Sequence, residues 1–106
     1  MQDKELVCTL TASDYQDRKT AWLKLADYVR SSAAISGGIT VTFAPALGVG
    51  DSLAELVRLE AECCAWMAFQ MSESLDGIEL SITSRGEDGE RAVREAFAPL
   101  VLRSTQ

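Results

Sequence analysis

The 106-residue sequence contains no histidine, only two prolines and three cysteines, and few aromatic residues. Because histidine is the commonest general base and the commonest transition-metal ligand, its absence removes the usual route to acid–base catalysis and to metal binding. It also excludes any Ser-His-Asp arrangement, and no glycine-rich phosphate loop is present. We therefore identify no catalytic constellation, and chemistry at any site must come from other side chains.

Long hydrophobic runs and positive charge are also scarce. No apolar run approaches the ~20 residues of a membrane-spanning helix, and the polar start Met1–Glu5 is not followed by a signal-peptide hydrophobic region. A net charge of −6 repels phosphate backbones and anionic lipid. These features predict a cytoplasmic protein that binds neither nucleic acid nor membrane. Thiols stay mostly reduced there, and an odd number of cysteines does not indicate a disulfide framework.

The chain length and hydropathy pattern predict one α+β domain spanning residues 1–106. Alternating apolar residues predict strands, capping patterns at Ser13 and Ser52 predict helix starts, and Asp76-Gly77 predicts a hairpin turn. The expected order β-α-β-α-β-β-α forms a two-layer sandwich, with a four-stranded, mainly antiparallel sheet and helices on one face. The predicted strands are 5–10, 39–43, 66–72 and 78–83. We predict loops at 31–38 and 86–89. We also predict a short helix at 90–98 and a tail at 100–106.

The central helix, from Ser52 to about Cys64, carries the most unusual residues. Its apolar stripe includes a carboxylate and two adjacent thiols, and Glu60 lies at i, i+3 and i, i+4 from Cys63 and Cys64. Charged residues seldom occupy a core-facing position unless a partner neutralises them. The sequence therefore indicates a site near the end of this helix, which is built on Leu53, Leu56, Val57, Glu60, Cys63 and Cys64.

Three interpretations of this site compete. In the first, the cysteines are small core residues, and Glu60 pairs with Arg18 or caps a backbone group. In the second, Cys63 and Cys64 bind a soft ion such as Hg(II), Cu(I), Zn(II) or As(III), with Cys8 or Glu60 as a third ligand. In the third, one thiol is a redox or nucleophilic group. Arg18 has two roles besides pairing with Glu60. It can stack on an aromatic ring, or it can extend along the surface to solvent, and surface arginines more often do the latter.

Electrostatics separates the second and third interpretations. A helix C-terminus and the nearby carboxylates Glu60 and Glu62 disfavour a free thiolate, which reduces its nucleophilicity. A bound cation reverses this effect, since it favours thiolate and carboxylate together. The chain does not offer the four Cys or His ligands of a structural zinc site.

The stretch Leu56-x-x-Leu59-Glu60-x-x-Cys63-Cys64-x-x-x-x-Phe69, with the hairpin that follows it, resembles a family of small bacterial proteins. These share a Glu-x-x-Cys-Cys motif and an aromatic-rich strand, and similar segments are appended to some MerR-type (mercury-resistance) regulators. The resemblance spans most of the chain and implies association with heavy metals. Ala65-Trp66 stands where the family often has a proline and an aromatic residue. No DNA-binding helix pair is present, so a regulator role does not carry over.

The leading hypothesis is a protein that binds or senses a thiophilic metal or metalloid. The alternative is a non-enzymatic interaction module, a homodimer formed through an uncovered sheet face or edge, whose cysteines are core residues. The predicted metal ligands are Cys63, Cys64, Glu60 and Cys8, with Arg18 and Trp66 as supporting residues.

Overall fold

The computed structural model describes the backbone of residues 12–104 and the side chains of residues 16–62 and 64–101. The predicted strand at 5–10, which contains Cys8, lies outside these residues. The elements are α1 (Ala12–Ala26), β1 (Val29–Ile35), β2 (Gly38–Phe43), α2 (Val49–Cys63), β3 (Ala68–Ser74), β4 (Gly77–Thr83), α3 (Gly86–Ala96) and α4 (Ala98–Ser104).

The four strands form one antiparallel sheet in the order β1-β2-β4-β3. In the two central strands, β2 and β4, the alternation of apolar and polar residues determines the register. Val41 lies opposite Leu80, and Ile39 lies opposite Ile82, so the buried side chains share one face of the sheet. Thr40 and Ser81, which lie opposite each other in the same two strands, face the other side. The α+β class with a four-stranded antiparallel sheet is confirmed, and the predicted element order broadly matches.

Two tight turns connect the paired strands. Leu75 and Asp76 join β3 to β4, as the Asp76-Gly77 signal predicts. Ser36 and Gly37 join β1 to β2, and Gly37 has φ of +88°, a left-handed conformation that glycine adopts without steric cost.

Strand β1 was not expected, because residues 31–38 were predicted to be a loop. Its sequence, VRSSAAI, is dominated by small residues with weak strand preference. Pairing with β2 across the Gly37 turn supplies the backbone hydrogen bonds that local preference does not favour. The predicted first helix therefore extended too far, since α1 ends at Ala26 and Val29 begins a strand.

Other helix boundaries also differ from the prediction: Ser13, a predicted cap, lies inside α1, and α3 ends at Ala96. Helix α2 begins at Val49 after a Gly48 cap in the left-handed conformation, so Ser52 is inside the helix and is not its cap. Helix α3 starts at Gly86 within a predicted loop. The predicted tail forms α4, in which Pro99 lies in the first turn, where its missing N–H is tolerated.

The core lies between the sheet and the helices. Helix α3 packs on β2 and β4, α2 packs on β3, and α4 packs on β1, whereas the main neighbours of α1 are α2 and α4. None of the helices in the described part of the chain is long and apolar enough to cross a membrane. The fully buried side chains include Phe43, Leu53, Leu80, Ile82 and Leu100.

We expect Gly38→Ala to destabilise the fold, because a Cβ at Gly38 would overlap the carbonyl oxygen of Ile82 in the neighbouring strand β4. Overpacking of this kind costs about 1–3 kcal/mol of unfolding free energy. Urea denaturation followed by circular dichroism measures it. Gly50→Ala is the matched control, since its Cβ would approach only the far ends of two side chains, Oε2 of Glu73 at 3.3 Å and Cδ1 of Ile78 at 3.5 Å. Equal midpoints for the two variants would contradict the observed sheet packing.

Candidate functional site

Glu60 is buried, with 7% of its surface exposed, and it joins two helices. The indole Nε1 of Trp22 in α1 donates a hydrogen bond of 2.8 Å to Oε2 of Glu60. Nη1 of Arg18 lies 3.5 Å from the same oxygen, and the side chains of this ion pair are only 12% and 10% exposed. Inside the protein the carboxylate is therefore stabilised by two groups from α1, a neutral hydrogen-bond donor and a cation.

The sequence of each helix explains this meeting. On α2 the buried positions Val49, Leu53, Leu56 and Glu60 recur at intervals of three and four residues, so Glu60 continues the core-facing row. On α1, Arg18 and Trp22 are four residues apart and lie on the same face. A carboxylate placed in this row needs compensation for lost hydration, and the opposing arginine and indole supply it.

Cys64 follows α2 directly and is fully buried. Its backbone N–H donates to the carbonyl oxygen of Glu60 at 2.7 Å, which closes the helix. Its sulfur lies 3.7 Å from Oε1 of Glu60. The two oxygens of the carboxylate thus have different neighbours, because Oε2 faces α1 and Oε1 faces the sulfur.

Cys64 is also disulfide-bonded, and its partner sulfur belongs to a side chain outside those described. The sequence did not indicate a disulfide, although three cysteines allow one disulfide and one free thiol. As a thiol, Cys64 has a hydrogen to donate to Glu60, and in the disulfide it has none. The oxidation state of Cys64 therefore determines whether its sulfur stabilises the adjacent carboxylate.

The structure brings together three of the predicted site residues: Glu60, Cys64 and Arg18. The side chains of Cys63 and Cys8 lie outside the described residues. Trp66 is half-buried, and its Nε1 is buried without an acceptor among the described residues. Within that same part of the chain, no group of three or more Asp, Glu or Cys side chains is placed to hold a metal ion. Any third ligand beside Cys64 and Glu60 would come from outside it.

Sequence reasoning missed the role of Trp22, which was assigned only to the apolar stripe of α1. Its indole N–H holds Glu60, and its ring lies edge-on to Phe97, with centroids 5.1 Å apart. The Arg18-x-x-x-Trp22 spacing was the available signal, since it aligns a cation and an indole donor on one helix face. The contact itself joins residues 38 positions apart, which no local pattern reveals.

A cavity of about 120 Å³ opens beside Glu60, between α1, the end of α2 and the junction of α3 with α4. Cys64 does not line it.

Comparison of the chain with protein-family models, with curated proteins and with solved structures found no match.

We expect Glu60→Gln to lower the unfolding free energy by about 1–3 kcal/mol, because it removes the buried negative charge that Arg18 faces. The amide oxygen of glutamine can still accept from Trp22, so the change tests the charge. Guanidinium denaturation at neutral pH measures the effect.

Glu55→Gln is the matched control on the same helix. Glu55 is 2.6 Å from Arg58, a shorter distance than in the buried pair, but both side chains are more than half exposed. The hydrogen bond from Arg58 lowers the pKa of Glu55, yet solvent screens such exposed pairs. We expect no measurable change in the midpoint, and an effect as large as that of Glu60→Gln would show that burial of the Arg18–Glu60 pair is unimportant.

Proposed function

We propose that this protein binds or senses a thiophilic metal ion or metalloid, such as Hg(II), Cu(I), Zn(II) or As(III). Cys64 and its disulfide partner, once reduced, would be the sulfur ligands, with Glu60 in support. One observation carries the proposal: the sulfur of Cys64 is bonded to another cysteine and lies 3.7 Å from Oε1 of a buried carboxylate. The Cys64 sulfur and a carboxylate oxygen are therefore neighbours, and a second sulfur is covalently attached to the first.

Reduction converts this arrangement into a candidate ligand set. A dithiol reductant cleaves the disulfide and is itself oxidised to a disulfide, while the two protein sulfurs each gain a hydrogen. Soft ions prefer thiolates, and they displace those hydrogens as protons when they bind. Cys63 or Cys8 supplies the second sulfur. The resemblance of the Glu60-x-x-Cys63-Cys64 stretch to segments of mercury-resistance regulators supports the same chemistry.

The surroundings favour ion binding over thiol catalysis. Full burial, the end of α2 and the carboxylate of Glu60 all disfavour a free thiolate on Cys64. A bound cation compensates all three, because it stabilises thiolate and carboxylate charge at once. A reducing compartment such as the cytoplasm would keep the cysteines available for this role.

Glu60 also provides a route from ion binding to structure. An ion that draws Oε1 toward the sulfur would also move Oε2, the oxygen that Trp22 and Arg18 contact from α1. The ion would thus alter the packing of α1 on α2, and a sensor needs a structural change of this kind.

We expect the reduced native protein to take up one equivalent of phenylarsine oxide, a trivalent arsenical that forms two As–S bonds with a dithiol and releases water. Intact-mass spectrometry measures the adduct. The oxidised protein should take up none, since its sulfur is already bonded. Cys64→Ala should abolish uptake, and circular dichroism checks that the variant folds.

Serine replacements of the other two cysteines provide the controls. One of Cys8→Ser and Cys63→Ser should abolish uptake, because it removes the second sulfur, and the other should leave uptake intact. Uptake that survives Cys64→Ala would refute the proposal, as would a reduced wild-type protein that reacts only after unfolding. The latter outcome would show that the cysteines serve only as core residues.

A second candidate function is a non-enzymatic interaction module that forms a homodimer. The sheet supports it, because β3 is an outer strand and the described residues leave its outer edge unpaired. Edge strands readily pair with a second chain. The sheet face opposite the helices carries Thr40, Thr42 and Ser81, which are only half-buried.

For that case we expect light scattering after size-exclusion chromatography to give twice the chain mass. Ser72→Lys on β3 should shift the protein toward monomer, since two-fold pairing would bring like charges together. Ser31→Lys, at an exposed position on the opposite edge strand β1, is the control. A wild-type protein that is monomeric at high concentration would exclude this function.

A further inference from the structure

We infer that the cavity between α1, the end of α2 and the α3–α4 junction is a binding site for a small aromatic monocarboxylate. This site is separate from the thiol chemistry proposed above and does not depend on it, because Cys64 is absent from the cavity wall.

The cavity has an apolar interior suited to one ring. Trp22, Phe97, Met67 and Leu100 line it and are all buried. Trp22 and Phe97 meet edge to face at an interplanar angle of 83°, a favourable arrangement of aromatic rings that gives this part of the wall an aromatic character. A volume of about 120 Å³ is close to the ~150 Å³ of an apolar cavity that holds benzene.

The charge at the cavity selects the ligand's polar group. Among the described residues, the charged side chains that line it are Arg18, Lys19 and the carboxylate Glu60. Glu60 already accepts from Trp22 and faces Arg18. Lys19 is exposed at the rim, and no ion pair joins it to another described residue.

Geometry orients the ligand. The ring would occupy the buried end beside Trp22 and Phe97, and the carboxylate would point outward to the ammonium group of Lys19. A charge-assisted hydrogen bond to Lys19 favours an anion over a neutral molecule of equal size. A ligand ammonium group would instead meet the two cations of the wall.

Titration with phenylacetate, phenylacetamide and phenethylamine tests the inference, since these probes share one ring and differ in charge. Two-dimensional NMR of ¹⁵N-labelled protein follows the two indole N–H signals, assigned with Trp66→Phe. Phenylacetate should shift the Trp22 signal with saturation, and the amide and the amine should bind several-fold more weakly. The Trp66 signal is the internal reference, because Trp66 does not line the cavity.

Two lysines on α1 give a matched pair of variants. Lys19→Ala should weaken phenylacetate binding about twofold to fivefold, the upper part of the range for loss of a solvent-exposed ion pair. Lys24→Ala makes the same change at an exposed position outside the cavity and should leave binding unchanged. Ala96→Leu, which narrows the cavity from α3, should weaken all three probes.

Three results would overturn the inference: no saturable shift with phenylacetate, equal affinity for the amide and the carboxylate, or equal weakening by the two lysine variants. The wild-type titration decides the first two without any substitution. None of these results depends on the cysteines, so the arsenical experiment fails or succeeds separately.

Discussion

The carboxylate of Glu60 is the interaction on which the arrangement of α1 and α2 depends. Burying a carboxylate costs several kcal/mol of lost hydration, and only well-placed donors offset it. Trp22 and Arg18 provide them from one face of α1, at 2.8 Å and 3.5 Å from the same oxygen. Since the main neighbours of α1 are α2 and α4, this pairing fixes which face of α1 meets the core. An apolar residue at position 60 could pack there but would leave Arg18 without this carboxylate.

The other oxygen of Glu60 gives the same residue a second role. Oε1 is 3.7 Å from a sulfur that is in a disulfide. A disulfide sulfur offers only lone pairs to a carboxylate, whereas a thiol offers a hydrogen and a bound soft cation offers a positive charge. The energy of the buried carboxylate therefore depends on the chemical state of Cys64. This dependence separates Cys64 from an inert core cysteine, whose neighbours would be apolar.

The sequence predicted those parts of the structure that follow from local periodicity. Ile39, Val41 and the β4 residues opposite them alternate strictly, so their strands and their buried face were predictable. Strand β1 was not, because small residues such as Ala33 and Ala34 carry no period and owe their conformation to pairing with β2. The site likewise has one contact that local periodicity predicts and one that depends on tertiary packing. The proximity of Glu60 to Cys64 follows from helical spacing, whereas the Trp22 contact depends on tertiary packing. Pairing with Arg18 was one of several alternatives for each residue, and only the packing of the two helices selects among them.

The position of Glu60 between the cavity and Cys64 constrains how the two proposed sites can behave. Trp22 and Arg18, which hold Oε2, also line the cavity, while Oε1 faces the sulfur. A carboxylate is a rigid group, so a ligand that moves one oxygen moves the other. If an anion held by Lys19 also attracts the neighbouring Arg18, the carboxylate of Glu60 becomes a better partner for a cation at the sulfur. Thermodynamic linkage requires the reverse effect to be equally strong. Each ligand would then raise the binding affinity for the other, because the anion interacts with the positive member and the soft cation with the negative member of one buried ion pair.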